Sequence, residues 1–468
     1  MSDQTPQELV EQALAIAARM TGVDGCVVLA DESSSANVRW ANNTLTTNGV
    51  TRGRRLTVIA SVKGADGVAA GVVSRSAVRT ADLDDLVWAA VAAAGENTPA
   101  EDASDLVEPA RPVDPSWQEA PHETSAAVFE GFVGDLGDSL TQAAGQSRLL
   151  FGFAEHVVNS SFMGSSTGLR LRHDQPTGKL EMNAKSVDLA RSAWSGAATR
   201  DFTDIDVARE ADALAQRLEW AARRVDLPAA RYETILPPGA LADLLIYMYW
   251  SAGARDAHDG RTVFSKPGGA TRVGESLSSL PLTLRSDPAD PGLSCLPFVV
   301  ADASSAESSV FDNGLDLSPT SWIDKGRLNS LIQTRHTAAL TGLPVTPAID
   351  NLIFEQAGAS ASLDDMIHRT ERGLLLTCLW YIRAVDPQTL LLTGLTRDGV
   401  YLVEGGEVVA AVNNFRFNES PVDLLDRITE VGATRRCLGR EWNDYFTRTA
   451  MPPVRVADFN MSTVSQAS

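Results

Sequence analysis

Six histidines stand in the chain, at His122, His156, His173, His258, His336 and His368. No two have the spacing of a local metal motif such as His-Glu-x-x-His, so a metal centre built on them would have to be assembled by the fold. One has a carboxylate neighbour. In Arg255-Asp256-Ala257-His258-Asp259-Gly260-Arg261 an acid directly follows the imidazole, and a carboxylate there can orient the ring for metal or proton work. The same residues also read as a solvated polar loop, which is the simpler expectation. Gly164-Ser165-Ser166-Thr167-Gly168 has the spacing of a nucleophile elbow, a turn that must lead from a strand into a helix. Here Leu169-Arg170-Leu171-Arg172 follows with strand alternation, so the segment reads as a hairpin loop and Ser166 as a turn serine. No glycine-rich phosphate loop is present, and acids are too numerous for any pair to stand out as a glycosidase dyad.

The four cysteines, Cys26, Cys295, Cys378 and Cys437, are far apart and form no Cys-x-x-Cys pair. That argues against a finger-type zinc site and against a disulfide framework. Cys26 and Cys378 lie among apolar neighbours and read as buried strand residues. Trp380-Tyr381 and the group Tyr247, Tyr249 and Trp250 could line a cleft, with core packing as the default.

These residues need elements to hold them. Leu241, Leu244, Leu245, Met248 and Tyr249 recur at helical spacing after Pro237-Pro238-Gly239. Near the N-terminus, Thr5, Pro6 and Glu8 form a cap, a first-turn proline and a capping box for a helix whose apolar face is Leu9, Ala13, Ile16, Ala17 and Met20. Strand patterns follow at Cys26–Leu29, Val38–Leu45 and Leu56–Val62, with Asn48-Gly49 predicted as the hairpin turn and Gly64-Ala65-Asp66-Gly67 as another turn. Asp82 opens a second helix with Leu83, Leu86, Val87 and Ala90 on one face.

The resulting fold class is α+β. We expect an N-terminal helix–sheet–helix domain over 1–98, a Pro- and acid-rich linker over 99–117 and a middle α+β segment over 118–227. The middle segment carries helical patterns at Val128, Phe132, Leu136 and Leu140, and at Val207, Ala211, Leu214 and Leu218. Between them, Leu149–Val158, Gly168–Arg172 and Leu180–Leu189 read as antiparallel strands. A strand-rich C-terminal domain with mixed and antiparallel sheets should fill 228–468. Its strand candidates are Pro297–Ala301, Leu374–Arg383, Leu390–Thr396, Val400–Val403 and Val408–Val412. Asp398-Gly399 and Gly405-Gly406 are read as tight turns between the last three, Ser362–Thr370 as a short capped helix, and the tail after Thr463 as frayed.

A net charge of −20 repels phosphate backbones, so nucleic-acid binding is not expected. No secretion signal opens the sequence and no apolar run is long enough to span a bilayer, which points to a cytoplasmic protein without a membrane partner.

The stretch from Leu390 to Asn418, LLLTGLTRDGVYLVEGGEVVAAVNNFRFN, resembles the TldD/PmbA family. So do Gly373-Leu374-Leu375, Tyr381 to Pro387, Trp322 to Leu328, Trp40 to Leu45 and the hairpin at Asn159–Gly168; together they extend the resemblance over nearly the whole chain. The resemblance implies a cytoplasmic peptidase of two related subunits enclosing a cavity for unfolded peptides, including leader segments of peptide natural products. One subunit binds zinc through His-Glu-x-x-x-His on a helix and a cysteine near its C-terminus. Set against that motif, this chain has Leu245, Ile246 and Trp250. Cys437 falls near the metal cysteine, but Leu438-Gly439-Arg440-Glu441 follows it in place of the family's Gly-Lys-x-Gly-Gln, and it reads as structural. The resemblance therefore implies the subunit type without the metal motif, with zinc in a TldD-like partner and no cofactor here. Catalytic and metal-binding residues are expected to be absent, and Trp250, His258, Asp259 and Trp380 are the candidate cleft residues. Two alternatives remain open: metal-independent chemistry on the same fold, for which His258, Asp259 and Cys378 are first candidates, and a homodimeric peptide-binding protein.

Overall fold

The structure is a computed structural model that describes residues 4–110 and 112–465. The first helix, α1 (Pro6–Ala17), begins as its sequence dictates: the Thr5 hydroxyl accepts the Glu8 N–H, the Glu8 carboxylate accepts the Thr5 N–H, and Pro6 occupies the first turn. Leu9, Val10, Ala13 and Ala17 bury its apolar face, with Ile16 and Met20 packed partly against the same cluster.

Three strands follow, β1 (Gly25–Ala41), β2 (Thr44–Lys63) and β3 (Val68–Ser76), then α2 (Leu83–Glu96), which buries Leu83, Leu86, Val87 and Ala90. The hairpin between β1 and β2 corrects the sequence reading. Its turn is Asn42-Asn43, both in the left-handed region at φ 50° and 60°, whereas Asn48 and Gly49 lie inside β2, paired with Val38 and Asn37. Two left-handed central residues make a type I′ connection, and asparagine adopts that conformation at low cost. The Asn43 side chain secures it by donating to the Arg148 carbonyl at 2.7 Å and accepting the Leu150 N–H at 2.6 Å. As predicted, the turn Gly64–Gly67 links β2 to β3, with the Gly64 N–H bonded to the Gly67 carbonyl.

Next come α3 (Glu130–Gly145), β4 (Arg148–Ser165), β5 (Arg170–Ser186), β6 (Ser192–Thr199) and α4 (Val207–Trp220). The six strands β1 to β6 form one antiparallel sheet in the order β3-β2-β1-β4-β5-β6, while the short strand Arg224–Val225 pairs with Glu407–Val412 in a C-terminal sheet. Residues 99–110 and 112–117 are largely without regular structure, and Trp117 is buried against Phe162.

The C-terminal part holds two mixed sheets. The larger is ten-stranded and centres on Val454–Val464, Ala230–Leu236 and Arg372–Leu376, the last two parallel. The other has six strands, running from Arg327–Leu328 through Leu352–Gln356 and Thr449–Met451 to the edge strand Arg435–Cys437. Three sequence expectations change here. Pro297–Ala301 is not a strand; only Phe298 makes an isolated bridge, to Asp316. Leu374–Arg383 is split, with Arg372–Leu376 inside the large sheet and Leu379–Asp386 at its edge. Asp398-Gly399 joins strands that do not pair with each other, so it is a crossover bend, while Gly405-Gly406 does close the hairpin between Val400–Glu404 and Glu407–Val412. The short helix Leu363–His368 carries the Ser362 cap as expected. The last strand runs to Val464, and residues 466–468 of the expected frayed tail lie outside those described.

Candidate functional site

The apolar helix is α5 (Pro238–Trp250), with Pro237 as its N-cap residue and Pro238 in its first turn. Leu245 and Ile246 are completely buried in the largest core cluster. Trp250, at the helix end, packs edge-on against Trp442 at 5.1 Å and near Phe446 at 6.2 Å between ring centroids. The Tyr249 hydroxyl is buried and donates to the Ile349 carbonyl at 3.0 Å.

One residue of this helix is charged, and it too is fully buried: Asp243. Its carboxylate oxygens accept the Arg440 N–H at 3.1 Å and the Glu441 N–H at 3.0 Å, and its main-chain carbonyl accepts the Trp442 indole N–H at 2.8 Å. Burial pushes the Asp243 carboxyl well above its ordinary value, while the two backbone N–H groups pull in the opposite direction. The segment that follows Cys437 is thus fastened to α5 by a carboxylate. Gly439 permits the approach, since a Cβ there would stand 2.5 Å from Asp243 Oδ1.

Glu441 fastens the same segment on its other side. Its carboxylate accepts the Tyr381 N–H at 2.9 Å, the Ile382 N–H at 3.1 Å and a bond from Arg383 Nη1 at 3.0 Å. Tyr381 sits at φ 53°, where the register between neighbouring edge strands breaks. This backbone is costly for an aromatic residue, and the Glu441 carboxylate compensates by binding two consecutive N–H groups.

Between these anchors lies Arg440. Its guanidinium is 4.6 Å from the Trp380 ring and 5.5 Å from the Trp194 ring, and Nη1 donates to Cys378 Sγ at 2.8 Å and to Asp398 Oδ2 at 2.9 Å. Cys378 is buried in the link between strands rather than within one, and burial pushes its thiol up to about 12.

Two of the four candidate cleft residues meet through this segment: Trp250 touches Trp442 and Trp380 touches Arg440. The other two lie apart. His258 ends α6 (Ala254–His258), a short helix where a loop was expected, and its buried Nδ1 has no partner among the described residues. Asp259 does not orient it, because the carboxylate accepts from Arg255 at 3.0 Å and Arg261 at 2.7 Å. Asp243, Arg440 and Glu441 are absent from the sequence-derived candidates. A lone acid in an otherwise uncharged, apolar helix was the available signal, since a buried carboxylate requires partners.

Ser166 takes the structural role expected of it, accepting the Cys26 N–H at 3.0 Å in a turn between two strands.

The residues present do not fit a catalytic zinc, which takes three protein ligands. Leu245, Ile246 and Trp250 offer no donor, and the oxygens of Asp243 are engaged by main chain. Cys437 is buried beside the Thr449 hydroxyl at 3.4 Å, and burial holds its thiol near 12. Among the described residues no three His, Cys, Asp or Glu side chains are grouped to hold an ion.

Residues 229–463 match a family model described as the PmbA/TldA metallopeptidase C-terminal domain. No curated protein matches the chain. Among solved structures it is similar to TldE from Thermococcus kodakarensis, at 17% identity and a TM-score of 0.76, over 97% of this chain and 99% of that one. A putative modulator of a DNA gyrase from Thermotoga maritima gives 17% identity and a TM-score of 0.75, over 97% and 99% of the two chains. A putative modulator of DNA gyrase from Bacteroides thetaiotaomicron gives 15% identity and a TM-score of 0.76, over 98% and 99%. These likenesses share the α+β fold and nearly the full length of each chain. The family model spans half of the sequence and includes the helix, the Cys437 segment and most of both C-terminal sheets, so this chain belongs to the PmbA/TldD family, which is metallopeptidase-related.

Proposed function

We propose that the chain is the non-catalytic subunit of a two-subunit zinc peptidase, acting in the cytoplasm on unfolded peptides or on leader segments of peptide natural products. The observation that carries this reading is the chemistry of α5. Where the resemblance implies metal ligands, the helix places Leu245 and Ile246 in the core, and its one carboxylate is spent on holding the Cys437 segment. A TldD-like homologous subunit would supply the zinc and the catalytic groups.

The part left to this chain is to wall the chamber and hold the substrate. An exposed strand edge supports that role. β3 pairs with β2 only from Arg55 onward, so the outer edge of β2 over residues 44–54 pairs with no strand among those described. Unpaired main-chain groups of that kind can bind an extended peptide with little regard to sequence.

The test is hydrolysis of an unfolded casein substrate by the purified chain alone, by a homologous subunit carrying His-Glu-x-x-x-His, and by the two mixed, each with and without EDTA. Native mass spectrometry follows assembly. Turnover should need both chains and be lost with chelator. Turnover by the isolated chain in EDTA would overturn the reading.

A further inference from the structure

The Arg440 guanidinium is held rigidly but only half used. Its side chain is 11% exposed, and Nη1 makes both of the bonds found, to Cys378 and Asp398. Nε and Nη2 bond to nothing among the described residues. The Trp380 indole N–H beside it is buried and unpartnered. Asp243 and Glu441 fix the main chain on either side, so the guanidinium is preorganised in its place. Beside Trp380 one aromatic side chain stands in solvent: Tyr381, at 55% exposure, with its ring 5.5 Å from that of Trp380.

Local charge decides what these donors would accept. Asp398 already pairs with Arg440, and Glu181 interacts with Arg440, Lys179 and Asp444. Arg397 also lies 3.6 Å from Asp398, so these three acids are matched by Arg440, Lys179 and Arg397; no net positive charge is left over for an anionic ligand, and a neutral acceptor suits the site. We propose that Arg440 is a binding residue for main-chain carbonyl oxygens of an extended peptide, with Tyr381 as apolar surface for its side chains. This rests on the peptide-holding role proposed above and gives that role a specific anchor away from the β2 edge.

The experiment measures binding of a fluorescently labelled, unfolded casein peptide to the full chain by anisotropy, with the peptide C-terminus free or amidated. Arg440→Gln should weaken binding about tenfold, the scale of one charge-assisted hydrogen bond. Arg435→Gln, at an exposed arginine outside the cluster, should stay within about twofold of the parent. Equal binding by Arg440→Gln and parent overturns the assignment. So does an equal loss from Arg435→Gln, which would mark a general charge effect, or a strict need for a free C-terminus, which would mark a carboxylate ligand. Failure of the unmodified chain to bind any peptide sinks the peptide-holding role itself, a result distinct from these.

Discussion

Asp243 and Arg440 are 197 residues apart in sequence, yet an Asp243 carboxylate oxygen lies 3.1 Å from the Arg440 main-chain nitrogen. The second carboxylate oxygen takes the next N–H, that of Glu441, at 3.0 Å. The bond pair crosslinks the middle of α5 to the segment after Cys437, and it does so without a metal. It also explains why the helix tolerates an acid at a completely buried position, for a carboxylate there is acceptable only when its lone pairs are filled.

Asp243→Asn keeps one acceptor oxygen but sets an amide donor against a buried N–H. We expect a loss of about 1–3 kcal/mol, read from denaturant melts. Gly439→Ala should cost a similar amount, about 1–3 kcal/mol, because its Cβ would lie 2.5 Å from Asp243 Oδ1. Unchanged midpoints in both variants would show that the crosslink does not stabilise the fold.

Stability should also depend on pH through Asp243. Its folded pKa is raised above the ordinary 3.8, so above that pH the folded state binds more protons than the unfolded chain. The contribution of this group is therefore largest in acid and declines as pH rises from about 4 through the raised value. Parent and Asp243→Asn melted in parallel across that window should show a stability difference that shrinks with rising pH. A gap that widens contradicts the sign.

Grafting the missing motif should fail. Leu245→His with Ile246→Glu puts two ionisable groups at fully buried positions, and adding Trp250→His removes the contacts to Trp442 and Phe446. The triple variant should lose more than about 3 kcal/mol and take up no stoichiometric zinc by elemental analysis. A stable, zinc-loaded product would mean that the apolar helix is not what prevents metal binding.

The β1–β2 hairpin separates two candidate turns. Asn43→Ala should destabilise by about 1–2 kcal/mol, since alanine at φ 60° is strained and both side-chain bonds disappear. Gly49→Ala should change stability by less than about 0.5 kcal/mol, because the added Cβ meets only the Asn37 side chain at 4.0 Å. Chemical denaturation distinguishes them, and the reverse order would restore Asn48-Gly49 as the turn.

All four cysteines are free and buried, and burial pushes each thiol up to about 12. Native protein at pH 8 should react with a disulfide reagent far more slowly than unfolded chain. Rapid labelling of Cys437 or Cys378 in the native state would reveal an opening that this packing does not contain.

Local chemistry in the sequence was enough to place α1, α2, α3, α4 and α5 and the Ser362-capped helix. Caps, prolines and apolar spacing act within one or two turns and need no distant partner. The apolar character of Leu245, Ile246 and Trp250 was equally legible, because a missing ligand is a property of residue type alone. The turn was different. Asn42-Asn43 and Asn48-Gly49 can both enter the left-handed region, and the choice fell to the long pairing of β1 with β4, which the Asn43 side chain locks from Arg148 and Leu150. The site was more distant still. Trp194, Asp243, Cys378, Trp380, Asp398 and Arg440 come from separate segments, and only the packing of the N-terminal sheet against the C-terminal sheets brings them around one guanidinium. No spacing along a chain can encode such a meeting, because a hydrogen bond is a relation in space and its two ends here are separated by most of a domain.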